Sequence, residues 1–221
     1  MSSIGTIWTY PFNPRAMKVE AAAAMNGHTI SHAPGFIMGQ TNKSPEFLAQ
    51  FPLGRVPTFK SRDGKTVLFE SDAIAQYAAE SGPASTQLLG STPEERATIR
   101  QWIAFADHEL FEPMTIMIMW RYGMDSFDEA ADKKALQHLV VSLTILEKHL
   151  QCRDYIATEL LSLADISVAA GLYWGFAQVI DAELRTQFRR TTDWYLRVTQ
   201  DGYLASSFGE QNFIESRKDA P

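Results

Sequence analysis

Residues 54–72 read Gly-Arg-Val-Pro-Thr-Phe-Lys-Ser-Arg-Asp-Gly-Lys-Thr-Val-Leu-Phe-Glu-Ser-Asp, and this stretch decides the fold of the N-terminal part of the chain. It predicts two short strands, 57–60 and 66–69, because β-rich residues flank Asp63-Gly64, a strong hairpin signal. Pro57 is acceptable there, since the first residue of a strand tolerates a missing N–H group. Ser71 is a favourable N-cap, so a helix is predicted from Ser71 to about Glu80.

The residues before this hairpin alternate between strand-like and helix-like patterns. The predicted elements are a strand over 4–10, an Ala-rich helix over 15–25, a strand over 28–32 and a short helix that Ser44 caps. The order is therefore β-α-β-α-β-β-α. A strand, a helix and a returning strand predict a parallel pair with a right-handed crossover.

The sequence after residue 91 is helical throughout. Long helices are predicted from 91 past 120, from 125 to about 151 and from 162 to 178, with shorter ones near 182–189 and 192–200. The third is apolar nearly all round, which favours the centre of a helix bundle. The predicted domains are therefore an α/β domain over 1–82 and an all-α domain over 91–221, separated by a Ser- and Gly-rich loop.

The composition excludes several classes of protein. The 221 residues include 26 Asp and Glu against 20 Lys and Arg, so an acidic chain without a basic run is not expected to bind nucleic acid. The single cysteine, Cys152, excludes an intrachain disulfide and a multi-cysteine metal site. The longest strongly apolar stretch, 114–120, is too short to span a membrane, and the N-terminus lacks a secretion signal. A cytoplasmic protein is expected.

Two features beside the hairpin each allow a functional and a structural interpretation. If the Val56–Pro57 bond is cis, the Val56 N–H and C=O groups could turn outward and pair with a peptide-like ligand. The alternative is a simple edge-strand proline. Ser71 at a helix N-terminus could bind a carboxylate while Glu70 holds an ammonium group, so that together they recognise an α-amino-acid head group. The alternative is a capped helix with an incidental acid.

Three other motifs favour structure over chemistry or leave the choice open. Ser162-Leu-Ala-Asp165 is typical of a capping box that starts a buried helix. The Met-rich run at 114–122 could line an adaptable apolar pocket or form a core stripe. His28 and His32 lie in an extended segment, and no metal site is expected there.

Together these features resemble the glutathione transferase superfamily, and within it the transferase-like N-terminal region of elongation factor 1B gamma. The stretches that carry the resemblance are 9–11, 39–42, 44–48, 54–57, 69–75, 89–94, 102–107 and 163–166. The resemblance as a whole extends over nearly the whole chain. The resemblance implies a thioredoxin-like N-terminal domain followed by an all-helical C-terminal domain, and it favours the functional interpretation of both Val56-Pro57 and Glu70-Ser71.

The same resemblance implies how glutathione would bind. The N–H and C=O groups of Val56, ahead of Pro57, would pair with its cysteinyl backbone. Ser71 would bind the γ-glutamyl carboxylate, and Glu70 would bind the amino group.

Further residues are assigned to the ends of the tripeptide by the resemblance. Arg55, with Gln40 or Asn42, would hold the glycyl carboxylate, and the Arg55 guanidinium is chemically the stronger partner. Asp107 could reach the glutamyl amine, in one arrangement across a dimer interface.

The implied chemistry is attack by the glutathione sulfur on an electrophile. A free thiol has a pKa of about 8.5, and lowering it by about two units would make most of it thiolate at pH 7. The family's usual Ser or Cys ahead of the first helix is absent, since Phe12-Asn13-Pro14 stands there. Tyr10 is the first candidate for stabilising the thiolate and Asn13 the second, with Thr9 and Arg15 also nearby.

The resemblance also implies an apolar site for the electrophile. The residues expected to line it are Phe12, Phe36, Met114, Met117, Ile118 and Arg121. The expected protein is a homodimeric transferase that uses glutathione as co-substrate and needs no other cofactor or metal.

Two alternatives remain open from the sequence. The first is a non-catalytic docking module of the elongation-factor-gamma type, with translation factors as partners. Gamma subunits continue into a Lys-rich linker and a further domain, whereas this sequence ends at Pro221, so a free-standing transferase is preferred. The second alternative is a glutathione-dependent peroxidase, in which the glutathione thiolate itself would reduce the peroxide.

Overall fold

The computed structural model describes residues 2–218; Met1 and residues 219–221, which the predicted domain bounds include, lie outside the described residues. The chain divides into two compact units between Leu89 and Gly90. The N-terminal unit contains β1 (Ser2–Trp8), α1 (Pro14–Met25), β2 (His28–His32), α2 (Pro45–Gln50), β3 (Thr58–Ser61), β4 (Val67–Phe69), α3 (Ser71–Glu80) and α4 (Ser85–Leu89). The C-terminal unit, as far as residue 218, contains α5 (Pro93–Phe105), α6 (Glu112–Met119), α7 (Glu129–His149), α8 (Leu163–Gln178), α9 (Ala182–Gln187), α10 (Arg189–Thr199) and α11 (Ala205–Phe208).

A four-stranded sheet in the order β2-β1-β3-β4 organises the N-terminal unit. β1 and β2 are parallel, while β1–β3 and β3–β4 are antiparallel, which confirms the predicted parallel pair and hairpin. Trp8 pairs with Thr58, and Thr58 pairs with Phe69. The end of β1, the start of β3 and the end of β4 therefore lie in one row. The chain segments that follow or precede them leave the sheet at the same edge.

Close contacts between neighbouring backbone segments explain why small residues occur at certain positions of this unit. A Cβ atom on Gly5 would lie 2.3 Å from the Phe59 ring and 2.4 Å from the Lys60 carbonyl oxygen, so only glycine allows β1 to lie this close to β3. The Ala-rich α1 packs against α3, and Ala22 and Ala78 are fully buried. Small side chains thus bring the helix backbones close to each other.

The C-terminal unit is built around α8, whose first ten residues are all buried, as predicted for a helix that is apolar all round. The predicted capping box is present: the Ser162 N–H and hydroxyl donate to Asp165 Oδ2 across 3.0 and 2.9 Å. Asp165 Oδ1 accepts from the Ile156 N–H (2.8 Å) and from Trp194 Nε1 (3.2 Å). Burial raises the pKa of the Asp165 carboxyl, and these four hydrogen bonds oppose the rise.

The structure corrects three predicted boundaries. The helix expected to run from 91 past 120 is interrupted, because α5 ends at Phe105 and residues 106–111 form a π-helical segment before α6. Such segments are rare and are often found at functional sites. A short helix, α4, occupies part of the expected loop at 81–91. α7 begins at Glu129 rather than 125, because Asp128 caps it through the Ala131 N–H.

The fold is therefore an α/β unit with a small mixed sheet, followed by a helical unit, as the sequence predicts. Within residues 2–218, no helix has the length and apolar character needed to cross a membrane.

Candidate functional site

The segment before β3 presents a backbone that is ready for pairing. The Val56–Pro57 peptide bond is cis, the first of the two alternatives considered for it. Among residues 2–218, neither the N–H nor the C=O group of Val56 has a hydrogen-bond partner. Backbone groups near a sheet normally find partners, so Val56 has the capacity to accept an additional extended chain.

The N-terminus of α3 lies at the same edge of the sheet, since α3 follows β4 directly. Glu70, not Ser71, is the N-cap of α3, and its backbone is left-handed, with φ of 70°. The predicted capping role of Ser71 is therefore wrong: the conformation of Glu70 starts the helix one residue earlier than a Ser71 cap would. Ser71 is the first helical residue, 5% exposed, and its hydroxyl has no partner in the described part of the chain.

The backbone of Glu70 is itself informative. A non-glycine residue in this region costs about 1–3 kcal/mol, and such residues concentrate at binding sites. The Glu70 side chain is exposed and makes no capping hydrogen bond. Glu70 therefore directly precedes Ser71, whose hydroxyl is unpartnered in the described residues, at the N-terminus of α3, which attracts anions.

A buried ion pair lies next to this helix N-terminus. Lys18, on α1, has a side chain that is 1% exposed, and its ammonium group pairs with the carboxylate of Asp72. Asp72 is in the first turn of α3, directly after Ser71. No sequence pattern marks this pair, because a lysine in an Ala-rich helix gives no sign of its burial.

The loop between β1 and α1 holds the predicted catalytic residues. Asn13 is buried and caps α1, because its Oδ1 accepts from the Arg15 N–H across 3.1 Å. Its Nδ2 donates to Thr9 Oγ1, also across 3.1 Å. Asn13 thus has a structural role that the prediction missed. Tyr10, directly after Thr9, is partly exposed, whereas Phe12 is 71% exposed and has a left-handed backbone with φ of 61°.

The residues expected at the glycyl end of glutathione separate into two kinds. Arg55 and Gln40 are exposed. Asn42 is fully buried: its Oδ1 accepts from the Gly39 N–H (2.6 Å) and its Nδ2 donates to the Gly54 carbonyl (2.7 Å). Both side-chain polar atoms of Asn42, which is an expected ligand contact, are thus hydrogen-bonded to the protein backbone. Its amide fixes the backbone just before Arg55.

Most of the residues expected to line the electrophile pocket in the C-terminal unit belong to its core. Met114, Met117 and Ile118 are completely buried, and Met114 packs against Gly175. These three side chains point inward from α6 and pack in the core of this unit. The exposed apolar residues of this segment are instead Ile116, Tyr122 and Met124.

Arg121 is also structural. Its buried guanidinium donates to the Met117 carbonyl and to Asp132 Oδ1 (3.2 Å), and it lies 4.1 Å from the ring centre of Trp120. Burial lowers the pKa of Arg121, and the charge of Asp132 opposes that effect. Arg121 therefore ties the end of α6 to α7.

The remaining candidates are easily placed. Phe36 is partly buried in the loop after β2, and Asp107 is partly buried in the π-helical segment of the C-terminal unit. His28 and His32 contact different partners, the Ser81 carbonyl (3.0 Å) and Glu20 Oε1 (2.7 Å). Across the described residues, no group of three or more His, Cys, Asp or Glu side chains is arranged to share a metal ion.

Comparison with known proteins defines the class of protein to which this chain belongs. The family model described as "Glutathione S-transferase, N-terminal domain" matches residues 3–80, and the model described as "Glutathione S-transferase, C-terminal domain" matches residues 105–201. The chain belongs to the glutathione S-transferase family, as the resemblance noted from the sequence implies.

Relatives of two kinds are similar to this chain. A glutathione S-transferase-like protein of Aspergillus aculeatus is 44% identical over 211 residues, which cover 94% of this chain and 98% of that protein. Elongation factor 1-gamma of Carassius auratus is 36% identical over 214 residues, 96% of this chain but 47% of that protein, so the chain spans about half of its length. The crystal structure of the GST-like domain of elongation factor 1-gamma from Saccharomyces cerevisiae has a TM-score of 0.83, with 24% identity and 99% of each chain covered.

Proposed function

We propose that this protein is a glutathione transferase that joins the glutathione thiol to hydrophobic electrophiles. One observation carries the proposal: an unpaired Val56 backbone and an unpartnered Ser71 hydroxyl lie at one edge of the sheet, with Glu70 between β4 and α3. A tripeptide with an α-amino-acid head group complements both features. The 44% identity to a glutathione S-transferase-like protein supports the proposal.

The binding mode follows from the chemistry of these groups. The cysteinyl N–H of glutathione would donate to the Val56 carbonyl, and the Val56 N–H would donate to the cysteinyl carbonyl. The Ser71 hydroxyl would donate to the γ-glutamyl carboxylate, which the N-terminus of α3 also attracts. The Glu70 carboxylate would accept from the ammonium group. Arg55 and Gln40 would hold the glycyl carboxylate.

Tyr10 is our proposed donor to the glutathione thiolate. Lowering the thiol pKa by about two units requires about 2.7 kcal/mol of preferential stabilisation of the thiolate, which a hydroxyl donor in a partly dry site can supply. The Thr9 hydroxyl is the next candidate, because its contact with the Tyr10 carbonyl is long, at 3.4 Å. Asn13 has a supporting role, because its side chain donates a hydrogen bond to the Thr9 hydroxyl and caps the start of α1.

Phe12 is our proposed electrophile contact in the N-terminal unit. Its large, exposed apolar side chain follows Tyr10 by two residues. Its left-handed backbone is costly for phenylalanine, which favours a functional reason for its conformation. A pocket of this kind would select electrophiles by apolar contact rather than by charge.

Turnover of 1-chloro-2,4-dinitrobenzene with glutathione tests the enzymatic proposal. The wild-type protein should exceed the uncatalysed rate, and Tyr10→Phe should lower kcat at least about tenfold. Tyr203→Phe is the matched control, since Tyr203 is an exposed tyrosine of the C-terminal unit. A wild-type rate equal to the uncatalysed rate would contradict the proposal.

A docking module is the second candidate function, and the 36% identity to elongation factor 1-gamma favours it. In that case the same surface would serve a translation-factor partner rather than catalysis. Capture of elongation factor 1 subunits by the purified protein, without any glutathione turnover, would support it. Under either function we propose a cytoplasmic homodimer, which sedimentation and cell fractionation would test.

A further inference from the structure

We propose that Lys18 is a positioning residue for ligand binding: by neutralising Asp72, it keeps the N-terminus of α3 receptive to a carboxylate. This inference rests on the proposed function, in which the γ-glutamyl carboxylate of glutathione binds at Ser71. It assigns a role to a residue that is outside the expected binding set.

The location of the pair is the first argument. Asp72 lies within the first turn of α3, one residue after Ser71, and its side chain is 19% exposed. A carboxylate there is favourable for the helix itself. It is unfavourable for a second carboxylate at the same helix end, because like charges a few ångströms apart repel each other strongly where water is largely excluded. Lys18 provides the compensating charge from α1.

The cost of the pair is the second argument. A lysine with 1% of its side chain exposed has lost its hydration, and buried ion pairs are often no more stabilising than apolar residues of similar size. α1 and α3 already hold each other by other means. Asn26 Nδ2, just after α1, donates to the Ala78 and Ala79 carbonyls across 2.9 and 3.0 Å. A second polar contact between the two helices, at the other end of α3, is not needed for packing. This favours an electrostatic role for the Lys18–Asp72 pair.

The pair also predicts whether each substitution raises or lowers the affinity for a carboxylate. With Lys18 removed, Asp72 loses the ammonium group that pairs with it, and its charge should oppose a bound carboxylate. With Asp72 neutralised, the Lys18 charge should favour one. With both charges removed, the N-terminus of α3 should again attract a carboxylate through its own dipole and the Ser71 hydroxyl. A purely structural pair predicts no such reversal.

Calorimetric titration with two ligands tests the inference. The ligands are glutathione and γ-aminobutyryl-cysteinyl-glycine, which is glutathione without the glutamyl α-carboxylate. The proteins are the wild type, Lys18→Met, Asp72→Asn and the double variant. Lys65→Met is the matched control, because Lys65 is an exposed lysine of the same unit. The double variant removes both charges of the pair, so it keeps the test informative if a single variant folds poorly.

We expect Lys18→Met to bind glutathione about tenfold more weakly than the wild type and the double variant to bind within about threefold of it. Asp72→Asn should bind at least as tightly as the wild type. The analogue without the carboxylate should bind all four proteins within about threefold of one another, and Lys65→Met should match the wild type.

Two contrary results have different meanings. In the first, the wild type binds glutathione, but Lys18→Met weakens the binding of glutathione and of the analogue equally, or the double variant does not regain glutathione affinity. Either outcome overturns the inference and leaves the proposed function standing. If the wild type binds no glutathione, the proposed function is overturned and this inference with it.

Discussion

Asn13 ties the two ends of the β1–α1 loop together: its side-chain nitrogen donates to Thr9 Oγ1 across 3.1 Å, and its side-chain oxygen accepts from the Arg15 N–H across 3.1 Å. Tyr10, the proposed thiolate donor, lies between these two anchored points in the sequence. The loop is thereby fixed by a residue that need not touch the substrate. Preorganisation of this kind is what an electrostatic stabiliser of a thiolate requires.

Replacing Asn13 with alanine should lower the free energy of unfolding by about 1–2 kcal/mol, since it removes the N-cap of α1 and the partner of Thr9. Urea denaturation would measure the change. Asn13→Ser is the control, because serine retains the capping oxygen and should lose less. Equal losses in the two variants would contradict the capping role.

Replacing Glu70 with glycine should separate stability from binding. Glycine adopts the left-handed backbone without strain, so the free energy of unfolding should rise by about 1 kcal/mol. Glutathione affinity should fall, because the carboxylate that faces the ammonium group is gone. Glu70→Gln keeps the strain and removes the charge, so it should lose affinity without gaining stability. Denaturation and calorimetry would show both effects, and an Glu70→Gly variant with undiminished affinity would refute the assigned contact.

The buried face of α6 should matter for stability rather than for electrophile selection. Met117→Ala should cost about 2–5 kcal/mol, as large-to-small changes in a core do. Ile116→Ala, on a residue that is 49% exposed, should cost less than about 1 kcal/mol. Thermal unfolding of the two variants measures the difference. Similar midpoints would show that Met117 is not a core residue.

Asp165 should be among the most sensitive positions of the C-terminal unit. Asp165→Asn replaces an acceptor of four hydrogen bonds with a group that turns two N–H donors toward those partners, at a cost of about 3 kcal/mol or more. Asp193→Asn is the control, since the ion pair that Asp193 forms with Arg189 is exposed. Urea unfolding compares them, and a loss below about 1 kcal/mol for Asp165→Asn would argue against the network.

Local signals predicted much of the fold. Asp63-Gly64 predicted the β3–β4 hairpin, and Ser162 with Asp165 predicted the start of α8, because turn and capping chemistry depend on neighbouring residues. The crossover between β1 and β2 followed from general rules of topology. Residues 106–111 were expected to continue a single helix, since a π-helical segment has no simple residue pattern.

The site was predicted less completely, because burial and backbone conformation depend on tertiary structure. Ser71 was expected to cap α3, but the left-handed Glu70 takes that position. Asn42 carries the polar groups of a ligand-binding residue, yet its Oδ1 and Nδ2 each bond to the protein backbone. The run 114–122 is apolar on every side, so spacing could not distinguish its buried face from its exposed one.

The central claim is that the protein binds glutathione and stabilises its thiolate. Titration of the purified protein with glutathione, monitored by calorimetry and by the ultraviolet absorbance of the thiolate, tests this claim most directly. We predict saturable binding by the wild type, with thiolate forming near neutral pH. Ser71→Ala should lose about tenfold or more in affinity, and Tyr10→Phe should keep affinity while losing thiolate. Absence of saturable binding by the wild type, or binding with no thiolate near neutral pH, would contradict the account.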